Sequence, residues 1–446
     1  MITFVKLNNY RSLNDVVFDF KETKEKTKKL VAIYGENGCG KSNFIRSIYF
    51  LKKLINSFEL EKSETKIMQS LDEKEIQDWP LRLQEMFGFS KISNMFANSR
   101  TIDCNENTRM EFGFDINGHE ANYIIEFNDS IEYEKLYYFT GKQSGLFFEV
   151  KKGEIKSPQL SNLIFKSKKV QADIKDLILK FWGKHSLLAI IFDLLNKYND
   201  EYVKDNFSKN MADFCMEIMR ISINLKVGAG GVDVPSAKDI NFISELENGN
   251  ISLKNEWLLK NTEAIINDFF TQSYSDIKKV YFETKKEKDR LAYHLYFLKN
   301  INGKNRIVPV EQESTGTRKI LDVLRNLFGA FCGCTVVIDE IDNGVHDLLL
   351  KVIIDSMKDY ITGQLIFTTH NTSLLESLEP KMVYLINSDY QGRKDIICLS
   401  EFKLQDHNSP RIRYLKGLYG GVPFVDSLDY LEIINNLNKQ GKNHAK

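Results

Sequence analysis

Apolar residues fall into three patterns along the chain. Alternation marks residues 2–7 (ITFVKL) and 16–20 (VVFDF), which predict two strands around a turn at Asn14-Asp15. Alternation returns at 110–116, 122–127, 133–139 and 146–153, with Asn117-Gly118, Asn128-Asp129 and Gly141 as the turns of an antiparallel sheet. Unbroken apolar runs at 30–34, 335–339, 364–370 and 382–386 predict buried strands. In the last third these runs alternate with helical text, the order of a parallel sheet. Residues 160–225 instead carry apolar positions at helical spacing, as do 256–270, which lead into strands at 278–284 and 290–298. The glycine cluster at 227–235 predicts a loop or linker. Residues 57–108 read as polar and irregular, with a break at Trp79-Pro80.

Composition changes this picture little. The chain of 446 residues, 42% hydrophobic and 27% charged, has room for a large core. Lys+Arg and Asp+Glu both total 61, so no global charge favours nucleic acid, and only a local basic face stays open. The lysine-rich run KETKEKTKK (21–29) reads first as a solvated loop and second as a DNA contact. Six cysteines without metal-type spacing point to a reducing compartment. No apolar stretch approaches the ~20 residues that span a bilayer, and the start MITFVKL reads as a strand, so a cytoplasmic location is expected.

The chemistry begins at residues 35–43, GENGCGKSN. Gly35, Gly40, Lys41 and Ser42 fit the spacing of a phosphate loop between a strand and a helix. Backbone N–H groups of such a loop, and the helix N-terminus after it, favour an anion. Lys41 is expected to reach the β- and γ-phosphates and Ser42 to ligate Mg²⁺. Cys39 reads as a filler at a variable position. A second signal is TVVIDEID (335–342), an acidic pair directly after a buried strand. Asp339 is placed to bind Mg²⁺ and Glu340 to polarise an attacking water. A third is FTTHNTSLLES (367–377), whose His370 closes a strand where a neutral imidazole could meet a γ-phosphate or the water. The fourth is VEQESTGTRKILDVL (310–324). Ser314, Thr315 and Gly316 precede a helix, and the stretch is either an ordinary N-cap or a second anion-binding helix start. In the second case Gly316 lets backbone approach the phosphate.

Taken together, GENGCGKS, ESTGTRK, VVIDEID and TTHN resemble the Walker A, signature, Walker B and switch-histidine elements of ABC-type ATPase heads, in the RecF/SMC/OLD-like branch. ITFVKLNNYRSL resembles that branch's first strand and turn, and DEIDNGVHDLLL its D-E-[LI]-D-x-x-[LI]-H pattern without the proline that often follows. EQESTGTRK, IIEFNDSIEYEKLYY and YLKGLYGGVPFV look like the ATPase halves of abortive-infection and PARIS-like phage-defence pairs.

The resemblance implies an α/β P-loop NTPase head of ABC/SMC type, a mixed sheet with an antiparallel β subdomain. Its halves at 1–154 and 276–446 flank a helical insertion at 155–275. It implies two subunits sandwiching two ATPs with Mg²⁺. Gly35, Asn37, Gly38, Cys39, Gly40, Lys41, Ser42 and Asn43 surround the phosphates, with Arg11 nearby. Lys41, Glu340 and His370 are catalytic, Ser42 and Asp339 hold the metal, and Ser314, Thr315 and Gly316 act from the partner subunit. A Q-loop glutamine would fall between Met86 and Asn107, which contains none. Implied partners are a second copy, a Toprim-type effector nuclease and a phage-encoded trigger. The alternative is a RecF/SMC-like repair ATPase that clamps DNA. The chain itself shows no nuclease motif, and the text after Tyr430 reads as a short polar helix.

Overall fold

The computed structural model describes residues 1–70, 92–140, 143–227, 230–236, 241–402, 409–422 and 430–431. The Trp79-Pro80 break, the Gly141 turn, the first residues of the Met86–Asn107 segment, the end of the 414–425 tail and the helix expected after Tyr430 lie outside the described residues.

The N-terminal strands are β1 (Ile2–Asn8), β2 (Val16–Asp19) and β3 (Leu30–Gly35), followed by helices α1 (Lys41–Ile55), α2 (Ser57–Ser70) and α3 (Ile92–Ala97). Then come β4 (Thr108–Ile116), β5 (His119–Phe127), β6 (Ile131–Thr140), β7 (Gln143–Lys151) and β8 (Gln159–Leu160). Strands β2-β1-β4-β5-β6-β7-β8 form one antiparallel sheet in that order. A helical block follows: α4 (Lys168–Phe181), α5 (Leu187–Lys197), α6 (Asp200–Asn206) and α7 (Lys209–Met219). It is fastened to the sheet through Glu134 of β6. The carboxylate is buried and accepts from Trp182 Nε1 (2.8 Å), Tyr123 Oη (2.9 Å) and the backbone N–H groups of Leu187 (2.6 Å) and Leu188 (3.1 Å) at the start of α5.

The second half contains β9 (Ser222–Val227), β10 (Gly230–Val234), β11 (Asn248–Ser252), α8 (Glu256–Ser273), β12 (Ile277–Glu287), β13 (Arg290–Ile301), β14 (Lys304–Pro309) and α9 (Thr315–Phe331). It closes with β15 (Thr335–Ile338), α10 (Asp347–Met357), β16 (Gln364–Thr368), β17 (Val383–Ser388), β18 (Lys394–Cys398) and α11 (Pro410–Leu415). The central sheet runs β10-β9-β15-β16-β3-β17-β18, with β9, β15, β16, β3 and β17 parallel. Period-two alternation splits its side chains between two cores. Val31, Ile33, Val337 and Ile366 join α1 and the antiparallel sheet; Leu30, Ala32, Tyr34, Val336, Ile338 and Phe367 join α8, α9 and α10. Among the described residues, no helix is long and apolar enough to cross a membrane.

Three segments differ from the sequence expectation. Residues 57–70 are helical, not irregular. Residues 222–225, expected as the end of a helix, are strand β9. Ile223 and Leu225 enter one core, while Ser222 faces Asn326 of α9, so this stretch has the period-two alternation of a strand, which the helical text running straight into it masked. The glycine-rich stretch returns as β10, paired antiparallel to β9 from Gly230↔Val227 to Val234↔Ile223. The block expected as an insertion at 155–275 thus supplies two strands of the central sheet.

Candidate functional site

The parallel strands all end on one side of the sheet, where open α/β sheets bind ligands. β3 delivers the phosphate-loop residues there. Gly40 caps α1 at φ 112°, and a Cβ would meet Leu13 Cδ2 at 2.6 Å, so only glycine fits under the turn after β1. Lys41 is buried at the first position of α1, and its Nζ donates to the carbonyls of Gly35 (2.7 Å) and Glu36 (2.9 Å). Burial holds the ammonium below its usual range, opposed by Cys39, Glu340, Asp339 and Asp342. Asn37 and Gly38 are exposed at the loop tip. Cys39 is buried, and burial pushes its thiol up, so it packs as a small apolar residue.

The turn after β1 lies over this loop. Asn43 Nδ2 donates to Ser12 Oγ at 2.8 Å. Arg11 (φ 52°) is held by its N–H to Ser99 O (3.1 Å) and by Thr101 Oγ1 to its carbonyl (2.8 Å), while its Nε is buried without a hydrogen-bond partner. That part of the Met86–Asn107 segment braces Arg11. On the side away from β16, β15 is bordered by β9, far in sequence from where a Q-loop was expected.

β15 delivers the acidic pair. Asp339 Oδ1 accepts from Thr368 Oγ1 at 2.8 Å, and Oδ2 is buried without a hydrogen-bond partner. Burial raises the Asp339 carboxyl, against the hydroxyls of Thr368 and Ser42, which favour its charged form. An unsatisfied carboxylate oxygen beside a serine hydroxyl is an oxygen-only donor set suited to Mg²⁺. Glu340 adopts φ 48°, a conformation that costs of order 1–3 kcal/mol. It is held there by its N–H to Thr368 Oγ1 (2.7 Å), and its Oε2 accepts from Lys226 Nζ at 2.5 Å.

β16 delivers His370, exposed, its N–H donating to Asp342 Oδ2 at 2.9 Å. Partial desolvation, then the Lys41 ammonium, hold its imidazole below 6.5, so it is neutral at neutral pH. At the start of α9, Ser314 Oγ accepts from Thr317 N at 3.1 Å, a true N-cap, and Thr315 is exposed. Gly316 meets a constraint within its own chain: a Cβ would stand 2.7 Å from Gly344 O, in the loop that continues from Glu340. Sequence reading missed Thr368, Asp342 and Lys226. Thr368 stood inside the FTTH stretch, but its role depends on the register Ile338↔Phe367.

A parallel sheet carrying a phosphate loop on β3, an acidic pair on the neighbouring-but-one strand and an antiparallel β subdomain defines a P-loop NTPase head. Over residues 30–376 the sequence matches the family described as "AAA domain, putative AbiEii toxin, Type IV TA system". The chain belongs to this AAA family, and it is an ATP-binding, ATP-hydrolysing P-loop ATPase. No curated protein matches it. Among solved structures it is similar to an SMC head bound to the C-winged helix domain of ScpA (13% identity, 89% of this chain and 96% of that one, TM-score 0.42). It is also similar to the SMC head domain from Thermotoga maritima (12% identity, 89% and 98%, TM-score 0.36). A third is an Smc head with an extended coiled coil bound to the C-terminal domain of ScpA derived from Pyrococcus furiosus (12% identity, 94% and 99%, TM-score 0.41).

Proposed function

We propose that this ATPase is an ATP-gated switch that pairs with a second copy through composite nucleotide sites and controls a partner effector, a nuclease, in defence against phage. The observation that carries the pairing is the start of α9: Thr315 is exposed, and Gly316 is seated on Gly344 in the loop leaving the acidic pair. A second anion-favouring helix end thus abuts the loop that leaves the acidic pair, and a chain with one phosphate loop uses it on its partner's nucleotide. The family's description in toxin–antitoxin terms supports the defence role.

In this reading the head halves 1–154 and 276–446 make the ATPase, and 155–275 adds the helical block together with strands β9 and β10. Lys41 binds the β- and γ-phosphates, and the N–H groups of the loop around Gly35, Asn37, Gly38, Cys39, Gly40 and Asn43 cradle them. Arg11 approaches from the turn above. Ser42 and Asp339 would hold Mg²⁺, which neutralises phosphate charge when bound. Glu340 takes the proton of the attacking water, and neutral His370 hydrogen-bonds the γ-phosphate. Ser314, Thr315 and Gly316 close the site from the partner.

Light scattering on Glu340→Gln at saturating ATP and micromolar protein tests the pairing: a dimer or larger is expected, and a monomeric mass refutes it. Affinity capture of the tagged chain with its neighbouring gene product tests the effector. Salt-dependent DNA binding would instead favour a repair clamp. The lysine-rich run gives that alternative little support, because Lys21 pairs with Glu120 (2.5 Å) and both Lys26 and Lys381 pair with Glu22 (2.7 Å each).

A further inference from the structure

Lys226 lies on β9, in a part of the sequence with no nucleotide-binding motif, yet its Nζ is 2.5 Å from Glu340 Oε2. The strand is parallel to β15 (Ile338↔Asn224), so Lys226 and Glu340 each stand two residues past the same rung. Both side chains are partly exposed, so the pair adds little to folding stability, but it defines which oxygen of Glu340 is engaged.

The strand that carries Lys226 is paired on both edges, to β10 and to β15, and is anchored at its start. Lys52 of α1 donates to Ile221 O and, at 2.7 Å, to Pro235 O, gripping the open end of the β9–β10 hairpin from both strands. Asn326 of α9 bonds Ser222 and donates to Asp233 Oδ1 at 2.9 Å. The hairpin is thereby tied to the phosphate-loop helix and to the helix proposed to read the partner's nucleotide. Glu340 has the opposite character. Its backbone sits in a left-handed conformation and its side chain is long, so without a partner the carboxylate would sample several rotamers.

We propose that Lys226 is a positioning residue for Glu340: it holds Oε2 from a strand paired on both edges so that Oε1 is the oxygen that receives the proton of the attacking water. The inference rests on Glu340 being the water-polarising carboxylate.

The test uses the full chain and compares wild type, Lys226→Met, Lys226→Arg, Glu340→Gln and the Lys226→Met/Glu340→Gln double variant. Lys226→Met should lower kcat about 10- to 100-fold, the scale on which small misplacements of a reacting group act. KM, ATP affinity and thermal midpoint should stay at wild-type values. Lys226→Arg should recover most of kcat. In single-turnover assays Lys226→Met should cause no further loss once Glu340 is Gln. An unchanged or raised kcat in Lys226→Met overturns the proposal. So does an equal loss in Met and Arg, a loss of equal fold in the Glu340→Gln background, or a parallel fall in ATP affinity and melting temperature. Wild-type turnover by Glu340→Gln would overturn it for a different reason, by removing the role assigned to Glu340 itself.

Discussion

The hydroxyl of Thr368 donates to Asp339 Oδ1 at 2.8 Å, across the seam between the two central parallel strands β15 and β16. Thr368 Oγ1 also accepts the N–H of Glu340 at 2.7 Å, so one side chain sets the carboxylate proposed to hold metal and the strained backbone of the residue proposed to polarise water. Replacing it by the isosteric valine leaves a buried acceptor and a backbone donor without partners, each worth about 1–3 kcal/mol. Thr368→Val should lower the urea midpoint and kcat together, and Thr368→Ser should restore both. A Val variant as stable and active as wild type would show that this contact holds nothing in place.

Lys41 and Glu340 should separate binding from turnover. Lys41→Ala removes the charge beside the phosphates and should abolish most ATP affinity in calorimetry. Glu340→Gln should bind ATP normally but turn it over about 10²–10⁴-fold more slowly, the usual contribution of a general base. Equal ATP affinity of wild type and Lys41→Ala would count against the phosphate-loop assignment.

The composite site is best probed at Thr315, since any side chain at Gly316 would strike Gly344 within the same chain. Thr315→Asp adds a negative charge in the first turn of α9, which favours the helix by about 0.3–1 kcal/mol while repelling a phosphate. The variant should therefore melt no lower than wild type, bind ATP, and fail to hydrolyse it. Mixed with inactive Lys41→Ala, it should regain activity, because each mixed dimer keeps one site with both halves intact. Absence of rescue, together with a monomeric mass of ATP-bound Glu340→Gln, would refute a site shared between subunits.

Glu134 should be among the costliest positions in the fold. Its carboxylate serves four donors from β5, the end of α4 and the start of α5. Glu134→Ala orphans all four in a buried seam and should cost roughly 3–5 kcal/mol, as for other broken buried charge networks. Chemical denaturation measures this directly, and a change below about 1 kcal/mol would show that water replaces the carboxylate.

A pH dependence should arise at His185. Its ring stacks on Phe58 at 3.9 Å, with Nδ1 2.9 Å from Ser57 Oγ and Nε2 2.9 Å from Glu61 Oε2. Burial holds the imidazole below its ordinary 6.5 despite Glu61. The unfolded chain therefore binds the proton more tightly, so stability present above about pH 6.5 is lost as pH falls through the lower folded value. The denaturation midpoint of wild type should fall more between about pH 7.5 and 5.5 than that of His185→Gln. Identical slopes would show that another group carries the effect.

Each strong motif of this chain is a contiguous run whose chemistry is local. A phosphate loop needs glycines, a lysine and a serine within eight residues, so Gly35–Ser42 could be read directly, as could the acidic pair after an apolar strand and the alternation of β4 to β7. These features depend on backbone conformation and on neighbours a few residues away, which the amino-acid order itself dictates. What the tertiary structure decided is which distant strands lie side by side. Residues 222–225 read as the tail of an amphipathic helix because the helical text before them runs on without a break, although Ser222 and Asn224 alternate with Ile223 and Leu225. Pairing with β15 and the bond from Ser222 to Asn326 select the strand over the helix. That pairing alone brings Lys226 to Glu340 across 114 residues of chain. The register of β15 on β16 likewise brings Thr368 to Asp339, and the packing of α9 brings Gly316 onto Gly344. Such contacts join residues whose local preferences carry no information about one another, so they exist only once the two cores have closed around the sheet.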